Sequence, residues 1–77
     1  MQIIIKTLTG KEKPMNFELD NIVIQVKQAL QEKEGISVEQ FRLIFERRQL
    51  NDESRLSDYN LTAGAVIHMI LQLSKYN

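Results

Sequence analysis

Gln40-Phe41-Arg42-Leu43-Ile44-Phe45, running through Glu46-Arg47 into Arg48-Gln49-Leu50, is the stretch whose reading decides the fold. Successive strand residues point to opposite faces of a sheet. Phe41, Leu43 and Phe45 therefore share one face, and Gln40, Arg42 and Ile44 the other. One face has to be core. The other carries an isoleucine that polar patterning does not call for, and this exposed Ile44 is the first candidate for function. Glu46-Arg47 makes a turn, and Arg48 to Leu50 a short strand running back.

Upstream of this hairpin lies one helix. Asp20-Asn21 is a helix-start signal. Val23, Val26, Lys27 and Leu30 fall on one helical face at i, i+3, i+4 and i+7. The helix ends near Glu34, because Gly35 suits the left-handed position after a helix and Ile36 the apolar contact that follows. Lys27 sits inside the apolar stripe. A buried ammonium needs a partner, and Asp52 is the candidate, in a structural ion pair.

The N-terminus reads as a hairpin. Met1 to Thr7 alternates, with Met1, Ile3 and Ile5 on one face and Gln2, Ile4 and Lys6 on the other. Leu8-Thr9-Gly10 turns, and Lys11 to Leu19 returns with Met15 and Phe17 inward. Lys13 shares their parity, and its long stem lets the ammonium reach water. Pro14 has no N–H for a ladder, which puts this strand at a sheet edge.

Downstream, Asn51 to Asn60 is loop with one helical turn at Leu56-Ser57-Asp58-Tyr59. Leu61 begins the return, Ala63-Gly64 turns, and Val66 to Leu73 is the last strand. There Ile67, Met69 and Leu71 alternate with Val66, His68 and Ile70. Both faces are apolar, so this strand belongs in the middle of the sheet. The order strand, strand, helix, strand, short strand, strand is an α+β layout: an antiparallel-rich mixed sheet of four to five strands on one α-helix. Its first and last strands form a central parallel pair.

Composition narrows the function. Seventy-seven residues make one domain, with little apolar surplus beyond the core. Ten basic against ten acidic residues give a formal net charge of zero, against a nucleic-acid binder driven by phosphate neutralisation. Arg42, Arg47, Arg48 and Arg55 are locally dense, but Glu46, Asp52 and Glu53 interrupt them without an aromatic platform. No cysteine is present, which excludes disulfides, thiolate zinc sites and a cysteine nucleophile. With a single histidine and no glycine-rich phosphate loop, no nucleophile, base and orienter set can be assembled. Ser54, Ser57 and Asp58 read as loop and capping residues. No metal-ligand spacing, cofactor motif or membrane-length apolar run occurs. The expectation is a non-enzymatic monomer without cofactor, metal, nucleic acid or membrane.

Several runs carry a family resemblance: Met1-Gln2-Ile3, Lys6-Thr7-Leu8-Thr9-Gly10-Lys11, Val26-Lys27, Lys33-Glu34-Gly35-Ile36, Arg42-Leu43-Ile44-Phe45, Gln49-Leu50, Asp52, Leu56-Ser57-Asp58-Tyr59-Asn60, and His68, Leu71 and Leu73. Through them the chain resembles the ubiquitin family along nearly its whole length, without a gap. The resemblance implies the β-grasp fold over residues 1–73, with 74–77 a flexible tail or the start of a linker. It also implies that Lys27 pairs with Asp52 inside. The family's apolar recognition patch falls on Leu8, Ile44, His68 and Ile70, with Arg42, Arg47, Arg48 and Gln49 as the polar rim. A secondary patch falls on Ile4, near Thr7 and Lys11. Ile22 and Ile24 are apolar where the family is polar. The partners implied are ubiquitin-binding domains, helical ubiquitin-interacting motifs and proteasome receptors, in the cytoplasm or nucleus.

The end of the chain departs from the family. It reads Leu71-Gln72-Leu73-Ser74-Lys75-Tyr76-Asn77, with no diglycine, and with Gln72 and Ser74 at two family arginines. Arg48, Ala63 and Ala29 replace acceptor lysines, while Lys6, Lys11, Lys27 and Lys33 remain. Glu46-Arg47 replaces a glycine-bearing turn, so positive φ at a non-glycine residue is expected. Phe41 and Lys13 exchange polarity with the family at places expected to be half-buried. The reading favoured is an interaction module that is not conjugated directly. The alternative is a covalent modifier released or activated from a precursor by an unusual route.

Overall fold

The computed structural model describes residues 1–72. Leu73 and the expected tail 74–77 lie outside the described residues. Five strands, β1 (Gln2–Lys6), β2 (Glu12–Asn16), β3 (Phe41–Phe45), β4 (Arg48–Gln49) and β5 (Val66–Leu71), form one sheet in the order β2-β1-β5-β3-β4. β1 and β5 are the parallel central pair, and the other pairings are antiparallel. One α-helix, α1 (Val23–Glu34), and two 3-10 turns at Val38–Gln40 and Leu56–Tyr59 complete the domain. The arrangement is the α+β β-grasp fold, and Pro14 lies on edge strand β2 as its missing N–H requires.

The core lies between α1 and one sheet face. Val23, Val26 and Leu30 from the helix meet Ile3, Ile5, Phe41, Leu43, Phe45, Ile67 and Met69 from the strands. Leu50, Leu56 and Leu61 close it from the loops. Met15, Phe17 and Ile36 pack on its margin. Phe41, expected half-buried, is wholly enclosed.

Lys27 keeps its place in the apolar stripe. Its Nζ donates to Asp52 Oδ1 at 2.8 Å and lies 5.9 Å from the Phe41 ring centroid. The lysine side chain is 6% exposed and the carboxylate 49%, so the pair is a buried cation held by an anion at the surface. Lys13 does not simply point to water. It faces Ile5 across β1/β2, and its Nζ donates to Glu34 Oε2 at 2.9 Å. This pins the edge strand to the end of α1, where a cation also suits the helix dipole.

The helix begins later than Asp20-Asn21 implies. Asn21 Oδ1 accepts the Glu18 N–H, capping the preceding turn, and Ile22 holds the helix N-cap position. Gln25 Oε1 accepts the Ile22 N–H at 2.8 Å. The Val23 and Ile24 N–H groups donate to the carbonyls of Ser54 and Asp52. The orphan donors of the first turn are thus satisfied from thirty residues away, which no local pattern reveals. At the other end Gly35 takes φ 72° and donates to Gln31 O, as expected.

Strand limits also differ from the sequence reading, by one residue at each end of β1 and at the end of β4. Gln40 closes a 3-10 turn, leaving β3 to start at Phe41. β2 is confined to Glu12–Asn16, and β5 ends at Leu71. Leu71 has core parity, yet it is 57% exposed. It pairs with Phe41 at the end of the β3–β5 ladder.

Candidate protein-binding face

Register turns the outer sheet face into rows. Residues directly opposed on neighbouring strands lie on the same side of the sheet. One row crosses all five strands: Glu12, Lys6, His68, Ile44 and Gln49. One row to one side, Ile70 opposes Arg42. On the other side, Pro14, Ile4 and Val66 are in line.

Ile44, His68 and Ile70 are thereby brought together. Ile44 directly opposes His68, and Ile70 sits on the diagonal. Ile44 and His68 are half-buried by strand neighbours, and Ile70 is 38% exposed. The strand alternation that buries Leu43 and Met69 obliges Ile44 and Ile70 to face outward. Leu8 stands in the turn beyond β1, partly drawn into the margin of the core.

The rim is only partly as expected. Arg42 and Gln49 share the Ile44 side, opposite Ile70 and Ile44. Arg47 stands in the β3–β4 turn, where Glu46 and Arg47 have φ 51° and 71°. Both central residues of the turn are therefore left-handed without a glycine. Arg48 opposes Phe45, on the core parity, and its guanidinium lies 5.5 Å from the Tyr59 ring centroid. That stacking directs its charge to the Tyr59 side of the hairpin instead of beside Ile44.

A family model described as the ubiquitin family matches residues 3–74. The chain belongs to the ubiquitin family. Ubiquitin-like protein NEDD8 of Dictyostelium discoideum is 40% identical over 73 residues, covering 95% of each chain. NEDD8-like protein RUB1 of Saccharomyces cerevisiae is 40% identical over the same length, again 95% of each. Ubiquitin-like protein 4A of Rattus norvegicus is 33% identical over 72 residues, which span 94% of this chain and 46% of that protein. Ubiquitin-family proteins are generally non-enzymatic modifiers that interact with other proteins in ubiquitin-like pathways.

The secondary patch divides in this ubiquitin-family domain. Ile4 is on the outer face and Lys11 is exposed, but Thr7 is buried. Its hydroxyl contacts Thr9 Oγ1 at 3.1 Å and accepts the Lys11 N–H at 3.3 Å, so Thr7 holds the turn and offers no surface. Ile22 is half-buried in an isolated bridge to Arg55, and Ile24 is half-buried beside it, so neither stands free. Two outer-face residues were missed. Val66 adjoins Ile4, and Lys6 adjoins His68. Their strand parity is visible in the sequence; their neighbours are fixed only by the β1–β5 register.

A polar cleft of about 480 Å³ opens between Lys27, Gln49–Glu53 and Gln72. The Lys27–Asp52 ion pair lines it.

Proposed function

We propose that this ubiquitin-like domain is a non-catalytic interaction module whose Ile44-centred face docks ubiquitin-binding domains or helical ubiquitin-interacting motifs, including those of proteasome receptors. The observation that carries the reading is the set of opposed pairs, Ile44 with His68 and Ile70 with Arg42. These pairs give an apolar centre with a polar flank on a rigid sheet. An amphipathic helix laid across it buries its apolar stripe against Ile44 and Ile70 and matches polar groups to Arg42 and Gln49. So small a surface implies an interface at the low end of the size range. Its place of action would be the cytoplasm or nucleus, where such partners work.

A helical ubiquitin-interacting-motif peptide titrated calorimetrically into the full chain tests this. Ile44→Ala is expected to weaken binding at least tenfold while the circular dichroism spectrum stays unchanged. Unchanged affinity would overturn the assignment.

A second reading, a covalent modifier, is favoured by one observation: relatives 40% identical to this chain over 73 residues are described as NEDD8 and NEDD8-like proteins. Peptide mass spectrometry of material from the native cell separates the readings. A branched peptide joining this chain's C-terminal region to a target lysine supports the modifier; peptides running beyond Asn77 into further sequence support the module.

A further inference from the structure

We propose that the polar cleft beside the Lys27–Asp52 pair is a second binding site, separate from the Ile44 face, and that it takes the guanidinium of an arginine carried by a protein partner.

Three separate parts of the chain build the cleft. Lys27 comes from α1, Gln49 to Glu53 from β4 and the loop after it, and Gln72 from just beyond β5. Backbone hydrogen bonds hold these walls. The Leu50 N–H donates to Leu43 O and the Gln72 N–H to Gln40 O, both at 2.8 Å, and the Ile24 N–H donates to Asp52 O at 3.0 Å. The Tyr59 hydroxyl accepts the Asn51 N–H at 2.8 Å. A space with walls fixed in this way needs little ordering when it is filled.

The lining selects a cation. Lys27 is its one ammonium, and that charge is already met by Asp52 Oδ1 and the Phe41 ring. Glu53 is exposed and joins neither ion pair found among the described residues, so the lining carries one negative charge in excess. Asp52 is half-exposed, which leaves its carboxylate open to a second donor. Gln49, Asn51 and Gln72 add carboxamide oxygens. Acceptors therefore stand on several sides of the space. A guanidinium presents five N–H donors in a planar fork and is weakly hydrated, so it suits spread acceptors better than the compact ammonium of a lysine. Free arginine would bring an α-carboxylate towards Glu53 and Asp52, whereas an arginine within a peptide brings none. Gln49 also opposes Ile44 across β3 and β4, so the cleft adjoins the outer sheet face while sharing neither isoleucine with it.

Three small probes test the proposal on the full chain by heteronuclear NMR titration: arginine blocked as its N-acetyl N-methylamide, the same compound made from citrulline, and free arginine. Blocked arginine is expected to shift the amides of Asn51, Asp52, Glu53 and Gln72 saturably. Citrulline has nearly the same shape without the charge and is expected to bind at least tenfold more weakly. Free arginine is expected to bind more weakly than the blocked form. Glu53→Gln removes the excess charge from an exposed side chain and is expected to weaken blocked arginine at least fivefold, with the amide spectrum away from the cleft unchanged. Equal affinity for citrulline, an unchanged affinity in Glu53→Gln, or shifts that lie elsewhere would overturn the site. Free arginine binding as tightly as the blocked form would overturn the choice of a protein-borne guanidinium.

Discussion

Leu43 and Ile44 are neighbours in sequence, on the same strand, and almost equal in chemistry, yet one is sealed and the other presented. Leu43 shares the inner face with Ile3, Ile5, Ile67 and Met69 under α1. Ile44 shares the outer face with His68, Ile70 and Ile4, which no element among the described residues covers. At these two positions the faces differ in what covers them and not in residue type. Apolar content alone therefore does not separate core from docking surface in a small domain; parity and layer do.

The sharpest way to break this comparison is to truncate on each side of it. Leu43→Ala leaves a cavity under the helix and is expected to cost about 2–5 kcal/mol, much of the stability of a domain this small. Chemical denaturation reads it directly. Asp52→Ala comes next. It leaves the Lys27 ammonium without its carboxylate, and because Asp52 is half-exposed the expected loss is about 1–2 kcal/mol, below the range for a fully buried pair. Lys27→Met at the same site removes the charge itself and is expected to change stability by less than about 1 kcal/mol. A larger loss from Lys27→Met than from Asp52→Ala would show that the ammonium does more than offset its own burial.

The β3–β4 turn gives a smaller effect of opposite sign. Arg47→Gly relieves a left-handed residue at φ 71° and is expected to stabilise the fold by about 1 kcal/mol, seen as a raised denaturation midpoint. Smallest of all is the stability effect of Ile44→Ala, expected below about 1 kcal/mol while peptide binding falls at least tenfold. Destabilisation as large as that of Leu43→Ala would erase the distinction between the faces.

Alternation and helical spacing made most of the architecture legible. Phe41, Leu43 and Phe45 against Arg42 and Ile44 fixed the hairpin's faces, Pro14 fixed the edge, and Gly35 fixed the end of α1. Ile44, His68 and Ile70 were legible as a surface because each alternates along its strand with core residues that point the other way. The errors fell where distant chain intervenes. The helix start moved because Ser54 and Asp52 supply acceptors to Val23 and Ile24. Lys13 found Glu34 and Arg48 turned to Tyr59, whereas Thr7 is a local exception, its hydroxyl closing its own turn.

By itself the sequence determined which residues face together, because the period of two along a strand and of 3.6 along a helix is built into local backbone geometry. Tertiary structure alone decided which of those faces meet. The parallel register of β1 with β5 sets Ile4 beside Val66 and Lys6 beside His68, and it arises from packing both strands under α1 across sixty residues of chain. No local propensity encodes that alignment; it is selected by the single register that buries Ile3, Ile5, Ile67 and Met69 at once.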